Sequence, residues 1–345
     1  MAAMHVHAIV REDPRMPGLS RRHVLLGAVA APFVVPSGAR AQGGSASWPT
    51  GTIRIIVPYP PGGSTDVIAR LVQTGLQQRL GANVIVENKA GASGAVGTEL
   101  VAKSPPDGAT WLIAFDNHAA NPFVLPKLPF DTEKDLDPVY WVGTAPYVVA
   151  TQAQKPYRSL ADVLAAAKER PGKVNYASVG SGSIGHLAMV MLAKKAGVEI
   201  IHVPYRGGGP ALNDALAGHV EMLVGSIALS MPQIALGSLR GVVQMGRTRA
   251  NALADVKTMI ESGYPDIVAD AWWGFFAPAG TPKAMIDKFG GEVDAVLREE
   301  HVNKQLAETQ QVNFVRKGPE DLRKFLHEQM RIWGAVAREN GITGT

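Results

Sequence analysis

Cysteine is absent from this chain of 345 residues. Its absence excludes disulfide bonds, thiolate zinc sites, iron–sulfur clusters and cysteine nucleophiles together. The fold must therefore be held by the burial of apolar side chains, which a hydrophobic content of 46% supplies. A chain of this length can form one large domain or two ordinary ones.

Strong charge of either sign is also missing, since the formal net charge is +4. The first 41 residues contribute +3 of this charge, because they hold five arginines against Glu12 and Asp13. No later stretch combines a run of Lys or Arg with interleaved aromatic residues. The sequence therefore predicts no nucleic-acid partner.

Long apolar runs are lacking as well. The longest near the start, Val24–Val35, has 12 residues and contains Pro32, which is short of the about 20 that span a bilayer. It follows the twin-arginine pattern Ser20-Arg21-Arg22 and precedes a small-x-small site at Ala39–Ala41. We therefore predict an export signal over residues 1–41, removed after about Ala41, and a periplasmic protein. A membrane anchor is the alternative, and the twin-arginine and general export pathways both stay open.

Catalytic motifs are missing too. There is no G-x-S-x-G, and the nine histidines form neither H-E-x-x-H nor H-x-x-E-H, so we expect no hydrolase triad, catalytic residue or metal site. His186 and His118 follow predicted strands, where each is either a base or a loop support. Asp66 and Asp116 are interpreted as N-cap or turn residues.

Short β-rich runs alternate with helical patterns, which is typical of an α/β fold with mostly parallel sheets. The predicted strands are Ile53–Val57, Asn83–Glu87, Thr110–Phe115, Tyr140–Thr151, Lys173–Ser178, Val198–Val203, Val220–Gly225, Leu239–Met245 and Ile267–Phe276. The predicted helices are Asp66–Arg79, Gly94–Lys103, Leu160–Arg170, His186–Ala196, Pro210–Ala217, Ser230–Leu236, Lys283–Glu299 and Pro319 to about Asn340, with Ser159 and Thr281 as N-caps.

Two long apolar strands, Tyr140–Thr151 and Ile267–Phe276, flank the second half of this pattern and are candidate hinges. We therefore expect a discontinuous first domain, 42–145 plus 270–345, and a second domain, 146–269. Ligands of open α/β sheets bind beyond the carboxyl ends of the strands. A cleft between the two domains is the expected binding site.

The segment Tyr59–Asp66 has the local architecture of an anion cradle. Prolines hold the backbone away from helix, Gly62 and Gly63 let a ligand approach the main chain, and the next helix aims unpaired N–H groups at it. The segment Tyr205–Pro210, with three glycines, is a further cradle. There Arg206 either binds a ligand carboxylate or forms a structural ion pair.

The loop Gly180–Gly185 also follows a strand and opens a helix, and it satisfies G-x-G-x-x-G. It therefore fits a dinucleotide fingerprint formally. The next strand is followed by Tyr205-Arg206 instead of an acidic residue, which would suit a 2′-phosphate. An exported NADP-dependent oxidoreductase is accordingly the alternative to a binding protein.

Six ordered motifs together resemble the Bug family, the periplasmic receptors of tripartite tricarboxylate transporters. They are Ile55–Gly63, Glu87–Gly94, Tyr176–Ser183, His202–Gly207, Leu216–Gly218 and Phe276–Pro282. The resemblance covers the chain beyond the export signal. It implies a two-domain Venus flytrap fold, type II-like, that closes on a small carboxylate without catalysis or a cofactor.

The resemblance also implies the ligand-binding residues, which hold a carboxylate largely through backbone N–H groups and bridging water. Carried over by position, they are Tyr59, Pro61, Gly62, Gly63, Thr65, Asp66, Asn117, Ser178, Ser181, Gly182, Ser183, Tyr205, Gly207 and Ser226. Tyr59, Phe115 or Trp273 would form an apolar wall, although core packing is the alternative for Trp272 and Trp273. The expected partners are a dicarboxylate, an amino acid or an aromatic acid and the membrane subunits of a transporter, and the expected state is a monomer.

Overall fold

The computed structural model describes residues 48–342, so the predicted export signal lies outside the described residues. Within this range the chain forms ten β-strands. They are β1 (Ile53–Val57), β2 (Val84–Asn88), β3 (Thr110–Phe115), β4 (Leu136–Gln152), β5 (Asn175–Ser178), β6 (Ile201–Pro204), β7 (Met222–Ser226), β8 (Leu239–Gln244), β9 (Asp270–Pro278) and β10 (Asn313–Lys317).

The same range contains ten α-helices. They are α1 (Ser64–Leu80), α2 (Ala95–Ala102), α3 (Asn117–Val124), α4 (Leu160–Glu169), α5 (Ile184–Ala196), α6 (Gly208–Ala217), α7 (Ile227–Ala235), α8 (Lys283–Arg298), α9 (Glu300–Lys304) and α10 (Pro319–Glu339). Short 3₁₀ turns precede α2 and lie between β8 and β9, and a π-helical segment, Gln305–Thr309, continues α9. None of the helices in residues 48–342 has the length and apolarity needed to cross a membrane.

Strand β4 is shared by two sheets. Its first part pairs antiparallel with β9 and β10, and its second part pairs antiparallel with β7 and β8. The order along the whole path is β2-β1-β3-β9-β4-β7-β5-β6. We call the part built on β1, β2, β3, β9 and β10 the first lobe, and the part built on β5, β6, β7 and β8 the second lobe.

The predicted α/β class is confirmed, but the expectation of mostly parallel sheets is only half right. Strands β1–β3 pair parallel in the first lobe and β5–β7 in the second, as a strand-helix-strand pattern requires. All pairs that involve β4 or β9 are antiparallel. Both strands carry the chain from one lobe to the other, so they do not follow the parallel strand-helix-strand repeat.

Of the predicted caps Ser159 and Thr281, the first is confirmed and the second is wrong. The Ser159 side chain accepts the Asp162 N–H and the Asp162 carboxylate accepts the Ser159 N–H, so α4 has a capping box. Thr281 does not cap α8, because its hydroxyl donates to the Pro278 carbonyl at 2.7 Å and the helix begins after Pro282. The Thr281 hydroxyl therefore forms its hydrogen bond within the preceding turn and not with the helix.

Three elements were not predicted from the sequence, namely α3, the short α9 that follows α8, and β10. Helix α3 contains Pro122 after Asn121, a pair that favours a turn, yet Pro122 is the sixth residue of a helix that ends two residues later. Strand β10 is short and half-buried, and it depends on pairing with β4 rather than on an apolar pattern of its own.

An aromatic cluster anchors the first lobe. Phe289 on α8 stacks on Trp111 of β3 with ring centroids 3.9 Å apart. Phe275 of β9 contacts Phe289 edge-to-face at 5.7 Å, and Trp48 does the same to Trp111 at 5.8 Å. Both Trp111 and Phe289 are fully buried, so the cluster ties α8 to the sheet.

We expect Phe289→Ala to lower the free energy of unfolding by about 3–5 kcal/mol, because it leaves a cavity among three aromatic rings. Urea denaturation of the protein measures this cost. Val96→Ala, at a side chain that is 49% exposed, is the control and should change stability by less than about 0.5 kcal/mol. Equal effects of the two substitutions would contradict the assignment of Phe289 to the core.

Candidate functional site

Five helices begin where five strands end, all at the carboxyl edge of the two sheets. Helices α1 and α3 follow β1 and β3 in the first lobe, and α5, α6 and α7 follow β5, β6 and β7 in the second. The first N–H groups of a helix have no partner within it and carry partial positive charge. This edge of both lobes therefore favours an anion.

The first cradle is held open by hydrogen bonds to the Asp66 carboxylate. Asp66 accepts the Gly62 N–H at 3.1 Å, the Arg70 guanidinium and the Asn88 amide, and these bonds hold its pKa below the ordinary value although burial raises it. Asn88 also donates to the Tyr59 carbonyl at 3.0 Å. The Asp66 carboxylate thus fixes the conformation of the loop.

A small cavity of about 20 Å³ lies between the lobes at this edge. It is lined by Tyr59, Gly63, Ser64, Thr65, Phe115, Val179, Gly208, Ser226 and Leu229. This is room for about one water molecule. The lining is apolar on one side and offers hydroxyl and backbone N–H groups on the other, and no lining residue is charged.

The cradle of the second lobe presses directly on that of the first. A Cβ at Gly209 would lie 2.6 Å from the Pro61 carbonyl oxygen, and one at Gly207 would lie 2.8 Å from the Pro60 ring. Any side chain at these two positions would push the loops apart. The glycines of Tyr205–Pro210 therefore permit close approach of the two lobes in addition to exposing N–H groups.

The glycine loop after β5 also contacts the first lobe. Ser93 donates its hydroxyl to the Ser181 carbonyl at 2.8 Å. A Cβ at Gly182 would lie 2.6 Å from Val124, and one at Gly180 would lie 2.9 Å from the Ser93 hydroxyl. In this conformation the loop is packed against α3 and the turn before α2.

Two stacked histidines support that loop from within the second lobe. The rings of His186 and His202 lie 3.7 Å apart and nearly parallel. His186 Nδ1 accepts the Gly182 N–H at 3.0 Å, and His202 Nε2 lies 2.6 Å from the Ser178 hydroxyl. Burial lowers the pKa of His186 to about 4 and that of His202 to about 3. Of the two roles considered for His186, the structure shows the loop support.

Asp116, at the end of β3, connects the first lobe to the second. Its Oδ2 accepts the Tyr147 hydroxyl of β4 at 2.6 Å, and Tyr147 pairs with Ser226 in the second sheet. Burial raises the pKa of Asp116 to about 8, although the bond from Tyr147 opposes that shift. The predicted cap role is wrong, because Asp116 occupies the N-cap position of α3 without a side-chain cap hydrogen bond.

Several polar atoms around α3 are buried without a hydrogen-bond partner among the described residues. They are Asp116 Oδ1, both amide atoms of Asn117, Asn121 Oδ1 and His118 Nε2. The His118 ring packs on Phe276, and burial lowers the pKa of His118 to about 3. No hydrogen bond of the His118 Nε2 atom that would indicate a role as a base is found among residues 48–342. These unpaired atoms form one buried polar group around the start of α3.

The structure brings some of the predicted site residues to the cavity and gives others a supporting role. Tyr59, Gly63, Thr65 and Ser226 line it, while Pro61 and Gly62 lie exposed at the tip of the first cradle. The loops are held by Asp66, Ser178, Ser181, Gly182 and Ser183.

Three further candidates lie away from the cavity lining. Tyr205 donates its hydroxyl to Asp214 on α6, and the exposed Arg206 makes no ion pair within residues 48–342. Trp273 is fully buried and packs beside Phe115, so its role is core packing. Ser64, Val179 and Leu229 were missed, because a lone serine or aliphatic residue at a strand end carries no sequence signal.

We expect acidification from about pH 6.5 to pH 3 to destabilise the protein through the histidine pair. Both folded-state pKa values lie below the ordinary 6.5, so the unfolded chain binds protons first and the stability present above pH 6.5 is lost as the pH falls. His202→Gln keeps a donor to Ser178 and should reduce this loss by up to about 1.4 kcal/mol per pH unit. Urea unfolding at pH 7 and pH 4.5 measures the difference.

The exposed His301 provides the control for this experiment. His301→Gln should lose stability on acidification as the wild type does. An unchanged acid sensitivity in His202→Gln would contradict the assignment of a neutral, loop-supporting pair.

Known proteins are similar to this chain in sequence and in fold. The profile described as "Tripartite tricarboxylate transporter family receptor" matches residues 68–342. BugT of Bordetella pertussis is 35% identical over 316 residues, which cover 91% of this chain and 97% of BugT.

Solved structures give the same result. Rpa4515 of R. palustris, determined with adipate, is 30% identical with a TM-score of 0.82, covering 86% of this chain and 99% of its own. MatC of Rhodopseudomonas palustris, determined with bound malate, is 28% identical with a TM-score of 0.78, covering 84% of this chain and 99% of its own. The two-lobe fold expected from the resemblance is thereby confirmed. The chain belongs to the tripartite tricarboxylate transporter receptor family, whose members are periplasmic solute-binding proteins.

Proposed function

We propose that this protein is a periplasmic receptor that captures a small carboxylate by closing its two lobes on it. The observation that carries the proposal is the meeting of helix N-termini from both lobes at one cavity: α1 from the first lobe, α6 and α7 from the second. Backbone N–H groups at helix N-termini bind anions without a charged side chain. Relatives that bind adipate and malate support a carboxylate as the ligand.

In this proposal the described conformation is the closed one. The Ser93–Ser181 and Asp116–Tyr147 hydrogen bonds cross between the lobes, and Gly209 lies against Pro61. A cavity of about 20 Å³ cannot admit a dicarboxylate the size of adipate. The lobes must therefore separate to load the ligand and close again around it, and a ligand that contacts both lobes favours closure.

Strands β4 and β9 supply the hinge in this proposal. Pro146 and Asp270 form the last residue pair of the β4–β9 ladder. One further hydrogen bond follows it, from the Tyr147 N–H to the Ala269 carbonyl at 3.0 Å. This point supports domain boundaries at 42–145 plus 270–345 and at 146–269. Rotation there would move the lobes while leaving each sheet intact.

The closed shape would be the form presented to transporter membrane subunits, which family membership supports as partners. The function proposed is capture of a ligand by a monomer, with no reaction and no cofactor. A dehydrogenase using Gly180–Gly185 is the competing function. The Gly182 N–H that such a loop would offer to a phosphate is already donated to His186.

A thermal-shift screen of the protein without residues 1–41 tests the class of ligand. The panel contains adipate, L-malate, L-glutamate, benzoate and NADP. We expect at least one of the acids to raise the melting temperature, because a ligand that binds only the native state stabilises it. Stabilisation by NADP alone would overturn the receptor in favour of the oxidoreductase.

Gly63→Val tests the cradle itself. Gly63 has φ −81° and no atom within 3.4 Å of a Cβ, so valine is free of the backbone strain expected at Gly62, where φ is +87°. The added methyl groups would fill the cavity, and we expect affinity for the stabilising acid to fall at least about tenfold, or about 1.4 kcal/mol.

Gly318→Val is the matched control for that variant. Gly318 precedes α10 as Gly63 precedes α1, with φ −78° and open space around its Cβ position. Its affinity should equal that of the wild type. Retention of full affinity in Gly63→Val would contradict the assignment of the first cradle to the ligand.

A further inference from the structure

Asp116 is an acidic side chain at the junction of the lobes, and no lysine or arginine among residues 48–342 balances its charge. It is fully buried. It follows Phe115, which lines the cavity, and its charge contributes to the raised pKa of Tyr59, another lining residue. Asp116 is therefore one residue from the cavity lining along the chain, and its carboxylate is close enough to act electrostatically on Tyr59.

The groups that face Asp116 are neutral. Tyr147 on β4 donates to Oδ2, and burial holds the pKa of Tyr147 and of Tyr59 well above the ordinary value. His118, two residues along α3, is neutral because burial lowers its pKa. No lysine or arginine in residues 48–342 contributes to the pKa of Asp116. The Ile184 and Asn117 backbone N–H groups, at the N-terminal ends of α5 and α3, face its carboxylate and lower its pKa, although burial outweighs them.

A bound carboxylate would place a second negative charge close to Asp116. Two carboxylates in a poorly solvated site do not both stay ionised, and the proton is shared by raising one pKa. A protonated Asp116 has an O–H to donate. Its Oδ1 is buried without a hydrogen-bond partner, and the adjacent Asn117 has two amide atoms in the same condition.

We propose that Asp116 is a specificity-determining residue of the ligand site that acts in its protonated form, with Oδ1 donating a hydrogen bond to an acceptor on the ligand. The proposal rests on the proposed receptor function. In the open cleft Asp116 is exposed and ionised, and on closure it takes one proton from solvent onto Oδ1. The ligand remains an anion, so capture takes up one proton.

The direction of proton exchange on closure distinguishes Asp116 from the histidines. His186 and His202 are neutral in the closed form, because burial lowers the pKa of each, so closure around them would release protons rather than take them up. Tyr59 and Tyr147 are neutral on both sides of the transition near pH 7. Asp270, at the hinge, is a second carboxyl whose pKa burial raises, against the opposing charge of Arg247. Net proton uptake therefore reports a buried carboxyl, and its loss in Asp116→Asn assigns it to Asp116.

Isothermal titration calorimetry at pH 7 in phosphate and in Tris measures the proton count, since the two buffers have different heats of ionisation. The titrant is the acid of the panel above with the largest melting shift, which is itself ionised at pH 7. For the wild type we expect uptake close to one proton, and an affinity that falls up to about tenfold per unit between pH 5 and pH 8.

Asp116→Asn should bind the same acid at pH 7 within a few-fold of the wild type or more tightly, with proton uptake near zero and a flat pH profile. The asparagine amide supplies a neutral donor in place of the carboxyl O–H. Asp287→Asn, on the exposed face of α8 and paired with Lys283, makes the same chemical change elsewhere and should keep the wild-type proton count.

Measurable binding by the wild type without proton uptake would overturn the role of Asp116 but not the receptor function. This measurement uses the wild-type protein alone, so it does not depend on the folding of a variant. Loss of binding in a folded Asp116→Asn, with no proton uptake in the wild type, would also overturn it, since the carboxylate would then act ionised on a donor. Failure of every acid in the panel to bind would overturn both proposals.

Discussion

The constraint on which the rest of this structure depends is the need to leave backbone N–H groups unpaired at one edge of two sheets. A buried N–H without a partner is costly, so the chain tolerates such groups only where a ligand or water can reach them. Every loop at this edge is shaped accordingly. Gly62, Gly63 and Gly207–Gly209 keep side chains away, and Asp66, Ser183 and His186 hold the loops.

Most of the fold was predictable because strand and helix periods are local properties of the sequence. The strands β1, β3 and β7 and the helices α4 and α8 lie within a few residues of their predicted bounds. The cradles were predictable for the same reason, because Pro and Gly determine the local backbone conformation directly. Helix α3 was not, because Asn121-Pro122 favours a turn locally and the helix is fixed by its packing against α10.

Contacts between the lobes could not be read from one sequence. Asp116 and Tyr147 are 31 residues apart, and Ser93 and Ser181 are 88 apart, so nothing in their spacing links them. Asp116 was interpreted as a cap because an aspartate before a helix usually is one. The tyrosine hydroxyl of the other lobe competes for the same carboxylate, and tertiary structure decides between these roles.

The sharing of β4 by both sheets has a consequence for how this protein unfolds. A strand of 17 residues that supplies ladder hydrogen bonds to both lobes cannot leave one sheet without exposing an edge of the other. The two halves should therefore melt as a single cooperative unit, unlike domains joined only by a flexible linker. Neither half is expected to persist as an independent fragment, so any proteolytic cut within β4 would abolish both.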